Sequence, residues 1–438
     1  MILIAGLWIY QFGFGVFGFL YLLIRTMRGR PMPGLRERLA IYSSAQKEQL
    51  KKLRRPLWMQ LVSVGEVVAA QPLILRMKER FPDSDWVVTT VTPAGRAVAE
   101  KNLAPLGVCV LYLPWDFQPI TARAIRIIRP ALFLSFETEL WPVLYYQLEK
   151  AGVPVAVVNG RISARAYPRY LWVRFWMERF LHPVQLVLAQ TPQDARRYAA
   201  LGAAKDRIGI AGNIKWDLPV PAPVDSAEQA RRRKLLGVSV QDCLWIAGST
   251  HPGEEEIILR VYRRLRESFP GLRLALAPRH TDRTETIGQL VEKEGLRWVR
   301  KTALKDSSPV SAGTVVLVDT VGELTALYQI SDLVFVGGSL VPKGGHNLIE
   351  PAVFSKPIMT GPFLQNFQAI AEALRAGGGL AVVSGETELE KTIRNLISMP
   401  GQAGELGERA YSVYRGNQGA VDRICDAIAR HWGSKLSK

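Results

Sequence analysis

Short β-branched and aromatic runs alternate with helical stretches along most of the chain, and one proline-rich segment interrupts the alternation. Strands alternating with helices require a parallel sheet covered on both faces. Before the interruption, strands are expected at 58–64, 86–92, 131–135, 153–158 and 186–189. A helix is expected over 67–81, with Pro72 near its first turn, where a missing N–H is tolerated. The break is the run LPVPAPV at 218–224, whose three prolines make a stiff, extended linker. The alternation then restarts, with strands at 244–247, 272–277, 315–318, 333–336, 357–360 and 380–383. Helices are expected at 254–269, 284–294, 323–331, 366–376 and 386–399.

The first segment adds a second constraint. Residues 2–24 carry no charge and would span roughly 34 Å as a helix, against a hydrocarbon core of about 30 Å. Arg25, Arg28 and Arg30 follow, and no signal-peptide cleavage pattern is evident. The expectation is therefore a single-pass N-terminal transmembrane helix, with everything after Arg25 on the cytoplasmic side. Gly13, Gly15 and Gly18 spell GxGxxG inside this run, but no strand precedes them, so a dinucleotide site fails its context test. The expected organisation is an anchor at 2–24, an N-terminal domain at 25–217, a hinge at 218–226 and a C-terminal domain at 227–438. The last helix is free to pack back on the N-terminal domain.

The 56 Lys and Arg against 39 Asp and Glu give a net charge of +17, which favours anionic partners without choosing among them. Anionic lipid headgroups are the expected partners of the basic stretch after the span. Residues 161–183 interleave Arg161, Arg165, Arg169, Arg174 and Arg179 with aromatic residues. They read either as a helix packing its aromatic face into the core with arginines facing water, or as a surface at the membrane interface. Cys109, Cys243 and Cys425 are widely spaced and odd in number, which speaks against a disulfide framework or a zinc site.

Several motifs fall where strands end, the edge at which parallel sheets bind ligands. Ser63-Val64-Gly65-Glu66 places a carboxylate at a helix start, where its ionised form is favoured and a hydroxyl proton can be accepted. Glu137-Thr138-Glu139-Leu140-Trp141-Pro142 places two carboxylates after an apolar strand. Gly212-Asn213-Ile214-Lys215 lies just before the hinge, where Lys215 can neutralise developing negative charge. In the second half, Gly248-Ser249-Thr250-His251, Pro278-Arg279-His280, Gly322-Glu323-Leu324 and Gly344-Gly345-His346-Asn347-Leu348-Ile349-Glu350 each sit between a strand and a helix. Together they suit a nucleotide, with helix N-termini facing phosphate and Glu350 facing ribose. Asp83-Ser84-Asp85 imitates a metal-binding DxD but reads as a surface turn, so no metal and no cofactor are expected.

These strings, in this order, resemble the Kdo transferase family, which transfers 3-deoxy-manno-octulosonic acid. The carriers are SVGE (63–66), ETELWP (137–142), NGRIS (159–163), GNIKWD (212–217), AGSTHPGEEE (247–256), PRH (278–280), GEL (322–324) and GGHNLIEP (344–351). The chain departs from the family's frequent NARxS, PRHPER and NPxEP patterns at Gly160, at Thr281 and Asp282, and at Leu348. The resemblance implies a GT-B fold, two doubly wound Rossmann-like α/β domains facing a cleft. It further implies inverting, metal-independent transfer from a CMP-Kdo donor to the lipid A precursor in lipopolysaccharide biosynthesis. It also makes the membrane of the expected anchor the bacterial inner membrane and the cytoplasmic domains catalytic. Glu66 would be the base, with Glu139 and Lys215 stabilising the transition state; Glu137 and Glu139 stay undecided. Ser249, Pro278, Arg279, His280, Gly322, Glu323, Leu324, Asn347, Leu348, Ile349 and Glu350 would hold CMP. Nucleic acid is not an expected partner. The competing readings are a GT-B enzyme or epimerase using a UDP-sugar, a membrane-tethered nucleic-acid binder, and a non-catalytic scaffold.

Overall fold

The computed structural model describes residues 2–29, 32–304 and 310–436. Arg30, one of the arginines flanking the apolar run, lies outside them. The chain forms two compact units, Met1–Leu218 with Gln418–Lys438, and Pro219–Asn417.

The first unit is built on a seven-stranded parallel sheet. Its strands are β1 (Leu57–Leu61), β2 (Trp86–Thr90), β3 (Val108–Tyr112), β4 (Leu132–Phe136), β5 (Val155–Gly160), β6 (Val184–Ala189) and β7 (Ile208–Ile210). Their order is β3-β2-β1-β4-β5-β6-β7, so the winding reverses between β1 and β4. Leu57 pairs with Trp86 on one side and Leu132 on the other. The central strands are buried on both faces, as a sheet clad in helices requires. Trp58 packs edge-on against Phe133 at 5.0 Å on one face. On the other face Met59 and Leu134 share a core with Leu73, Ile74 and Met77. The C-terminal helix Ala420–Leu436 belongs to this unit and adds Ile424, Ile428 and Trp432 to that core. Each such side chain contributes about 1.5–3 kcal/mol of burial.

The second unit repeats the scheme. Its strands are β8 (Cys243–Thr250), β9 (Leu272–Pro278), β10 (Arg297–Arg300), β11 (Thr314–Leu317), β12 (Leu333–Val336), β13 (Ile358–Thr360) and β14 (Ala381–Val382). They run parallel in the order β10-β11-β9-β8-β12-β13-β14, with the reversal between β8 and β12. Trp245, Leu274, Leu333 and Phe335 lie in one core with Ile258, Leu259 and Tyr262 of the helix Glu254–Ser268.

The expected membrane span is overturned. Among the described residues no helix is long and apolar enough to cross a membrane. Residues Ile2–Met27 do form a helix, but its polar groups are tied into the first unit. Buried Gln11 donates to Leu7 O at 3.2 Å and accepts from Gln118 N at 2.8 Å. Tyr10 hydrogen-bonds to Asp116, which is itself buried. Gly6 lies so close to the Trp176 ring that a Cβ there would overlap it. The single-pass anchor in the fold, and the inner-membrane sidedness drawn from it, are therefore corrected: hydropathy alone did not reveal that this face is used for packing.

Pro72 also sits elsewhere than expected. The helix Val64–Arg80 starts three residues early, because Ser63 caps it by accepting from Glu66 N, and this leaves Pro72 in the interior. Its pyrrolidine ring removes one intrahelical donor there.

Candidate active site

In the first unit, the reversal between β1 and β4 sets two loops side by side. Val62 and Ser63 leave β1, and Glu66 reaches back to them: its Oε2 accepts from Val62 N at 2.7 Å and its Oε1 from Ser63 Oγ at 3.2 Å. The helix start was expected to favour ionised Glu66. Burial instead pushes its pKa up to about 7, helped by the nearby Glu137 and Glu139 carboxylates, against the backbone bond from Val62 and the Ser63 bond. Desolvation and two like charges outweigh the favourable backbone dipoles.

After β4 the backbone turns sharply. Glu137 adopts a left-handed φ of 59°, a conformation a non-glycine residue holds only when neighbours enforce it. Tyr198 OH donates to Glu137 O at 3.1 Å, and Glu137 N donates to Val158 O at 3.0 Å. The carboxylate then faces Lys215 Nζ at 3.5 Å and Asn159 Nδ2 at 3.4 Å. Asn159 is fully buried, and its Oδ1 accepts from Ile214 N at 3.1 Å, next to Lys215. Glu139 is fixed through its backbone: its O accepts from Ser135 Oγ at 2.6 Å and Tyr145 OH at 2.9 Å. Burial, then Glu137, raises the Glu139 pKa. The structure thus brings Glu66, Glu137, Glu139 and Lys215 into one electrostatic group. The lysine pairs with Glu137. Asn159, absent from the sequence-derived set, links both loops; its signal was only its place in the NGRIS string.

In the second unit, the loops after β8, β9 and β12 converge. Ser249 takes a left-handed φ of 56°, and Arg279 N donates to Thr250 O at 3.0 Å. Gly248 permits this path, since a Cβ would overlap Tyr328 OH. Arg279 and His280 are exposed. Glu350 ties Gly322–Leu324 to Asn347–Glu350: it accepts from Thr325 Oγ1 at 2.8 Å and Asn347 Nδ2 at 2.9 Å. Glu323 pairs with Lys301 at 2.8 Å and binds Thr320. Pro278, Leu348 and Ile349 are buried, and Ile349 N already donates to Asn347 Oδ1 at 3.1 Å.

Sequence reasoning passed over Glu254 as an organiser. Its carboxylate accepts from His251, Gly338, Ser339 and Leu340 N at 2.7–2.9 Å, binding the loops after β8 and β12 together. In the apparent DxD motif, Asp85 Oδ2 accepts from Arg54 N at 2.5 Å and its O from Leu57 N at 2.8 Å. Both groups brace a turn.

Two doubly wound parallel sheets with loop clusters at their reversals define a GT-B-like α/β protein. A UDP-GlcNAc 2-epimerase from Neisseria meningitidis has a similar fold, with a TM-score of 0.57 and 13% identity over 86% of this chain and 100% of that one; this likeness is one of fold alone. Residues 33–218 match the family described as 3-Deoxy-D-manno-octulosonic-acid transferase (kdotransferase). A 3-deoxy-D-manno-octulosonic acid transferase of Haemophilus influenzae is 37% identical over 84% of both chains. One of Bordetella pertussis is 31% identical over 86% of this chain and 87% of its own. The chain belongs to the 3-deoxy-D-manno-octulosonic acid (Kdo) transferase family; it is a glycosyltransferase that transfers Kdo in lipopolysaccharide biosynthesis.

Proposed function

We propose that the donor is CMP-Kdo, that the acceptor is a hydroxyl of the lipid A precursor, and that Glu66 is the general base. The observation that carries this is the Glu66 carboxyl, whose pKa is pushed up to about 7 beside Glu137 and Glu139. A base poised near neutral pH takes up a proton most effectively there. Glu66 removes the acceptor's hydroxyl proton as the oxygen bonds to the anomeric carbon. The bond from that carbon to the phosphate oxygen breaks on the opposite face, which inverts the centre, and CMP leaves with the electron pair. Lys215, held by Glu137, and Glu139 steady the charge that develops.

Ser249, Pro278, Arg279, His280, Gly322–Leu324 and Asn347–Glu350 are assigned to CMP, with Arg279 and His280 as the exposed donors toward phosphate. Transfer is expected to proceed without metal. Exposed Leu171, Trp172 and Phe175 give an apolar surface, and Arg179 lies 3.8 Å over the Phe175 ring. That combination suits an acylated, phosphorylated acceptor and anionic lipid headgroups.

The test incubates purified protein with freshly made CMP-Kdo and tetraacylated lipid A precursor in EDTA and reads products by mass spectrometry. A gain of one or more Kdo units is expected. No gain, with both substrates validated by another transferase, would overturn the donor and acceptor assignment.

A further inference from the structure

Two histidines that the proposed donor contacts leave unused meet in the second unit. His251 follows β8 and His346 lies in the glycine loop after β12. Their Nε2 atoms are 2.9 Å apart, and the rings lie parallel and edge to edge, with centroids at 5.2 Å and an interplanar angle of 2°. His280 stands edge-on to His251 at 5.9 Å. The arrangement is enforced: Gly338, at φ +66°, passes so close that a Cβ would meet both rings. Between Ser249 and His251, Thr250 is fully buried and its hydroxyl has no hydrogen-bond partner.

A bond between two imidazole Nε2 atoms requires one to carry a hydrogen and the other a lone pair. A second hydrogen between them would break it. The pair can instead accept a proton on an Nδ1, and the imidazolium then donates through Nε2 to its neutral partner. What opposes this is burial first, and then the surrounding positive charge. His280, Lys343, Arg283 and Arg279 all act on His251, and Arg279 and His280 act on His346. Burial contributes most, and His346 is pushed down to about 4. Carboxylates in the neighbourhood are already committed. Glu254 is saturated by backbone N–H groups, and Glu255 pairs with Arg283 at 3.0 Å. Among the described residues, Arg279 and Lys343 have no carboxylate partner. The cluster therefore carries positive charge that no carboxylate balances.

We propose that the His251–His346 pair is an anion-receiving subsite of the donor domain, which takes up one solvent proton when an anionic group of the sugar donor enters. The proposal rests on the CMP-Kdo reading, and the anion is the donor's phosphate or its sugar carboxylate. The bound anion balances that charge, so proton uptake follows binding.

The test is calorimetric titration of the full chain at pH 6.5, in two buffers of different ionisation heat, with CMP, free Kdo, cytidine and UDP as separate probes. Wild type is compared with His346→Asn and His251→Asn, each checked for folding by thermal unfolding. Net proton uptake with CMP that exceeds that of the asparagine variants and is absent with cytidine assigns the phosphate; such uptake with free Kdo assigns the carboxylate. Either asparagine variant that folds is expected to lose the uptake and bind about tenfold more weakly. CMP binding without uptake, or with uptake unchanged in a folded variant, overturns the subsite but leaves the donor reading intact. Histidine-dependent uptake with UDP and no binding of CMP or Kdo overturns the donor reading but keeps the subsite. No binding of any probe overturns both.

Discussion

Lys215 Nζ lies 3.5 Å from Glu137 Oε1, and both side chains are largely shielded from water. Glu137 is at once the lysine's counter-ion and a strained hinge of the loop after β4. The alternative between Glu137 and Glu139 thereby acquires a physical form: Glu137 orients the lysine, and Glu139 keeps a carboxylate raised in pKa near Glu66.

This division is testable by a double-mutant cycle. Glu137→Gln and Lys215→Met are each expected to lower turnover about a hundredfold, with a double variant little worse than either single one. Each single change should cost about 1–3 kcal/mol in denaturant unfolding, since it strands a partly buried charge. Multiplicative losses in turnover would show that the two residues act separately.

Glu66 also leaves a signature in stability. Its folded pKa of about 7 lies above the ordinary carboxylate value of 4.5. The native state therefore holds its proton more tightly than the unfolded chain does. The resulting stabilisation is present at low pH and is lost as pH rises from about 4.5 to 7. Glu66→Gln, which cannot ionise, should be more stable than wild type at pH 8 by about 1–3 kcal/mol and nearly equal at pH 4. Thermal unfolding at both pH values checks this. A less stable variant at pH 8 would contradict it.

Glu254 gives a contrasting expectation. Four backbone donors converge on one buried carboxylate, so Glu254→Ala should cost about 3 kcal/mol or more. Glu254→Gln keeps an acceptor oxygen and should cost less. Both effects should appear in the second unit's amide exchange. Equal unfolding midpoints for alanine and wild type would refute the organising role.

How much of this was legible in the residues differs from element to element. The two parallel sheets were, because strands such as LFLSF and LVFV are buried on both faces and read as continuous apolar runs. β3 reads just as clearly as VCVLY but was passed over, while β7 and β10 are short, only partly buried edge strands with little apolar signal. The helix Ile2–Met27 misled, because hydropathy does not distinguish lipid from a packing partner and Gln11 was outweighed by its neighbours. At the site, residue identities and order pointed to the family. The raised Glu66 pKa, the Lys215–Glu137 pairing and the hydrogen-bonded histidines depend on which loops meet at each sheet's reversal. No local pattern encodes that.

The most direct measurement is the pH dependence of kcat, with saturating CMP-Kdo and lipid A precursor, for wild type and Glu66→Gln. With Glu66 as the base, the wild-type rate rises tenfold per pH unit below about 7 and then levels. The variant should be slower by at least about a hundredfold, without that inflection. A Glu66→Gln enzyme retaining the wild-type rate and inflection would contradict the assignment.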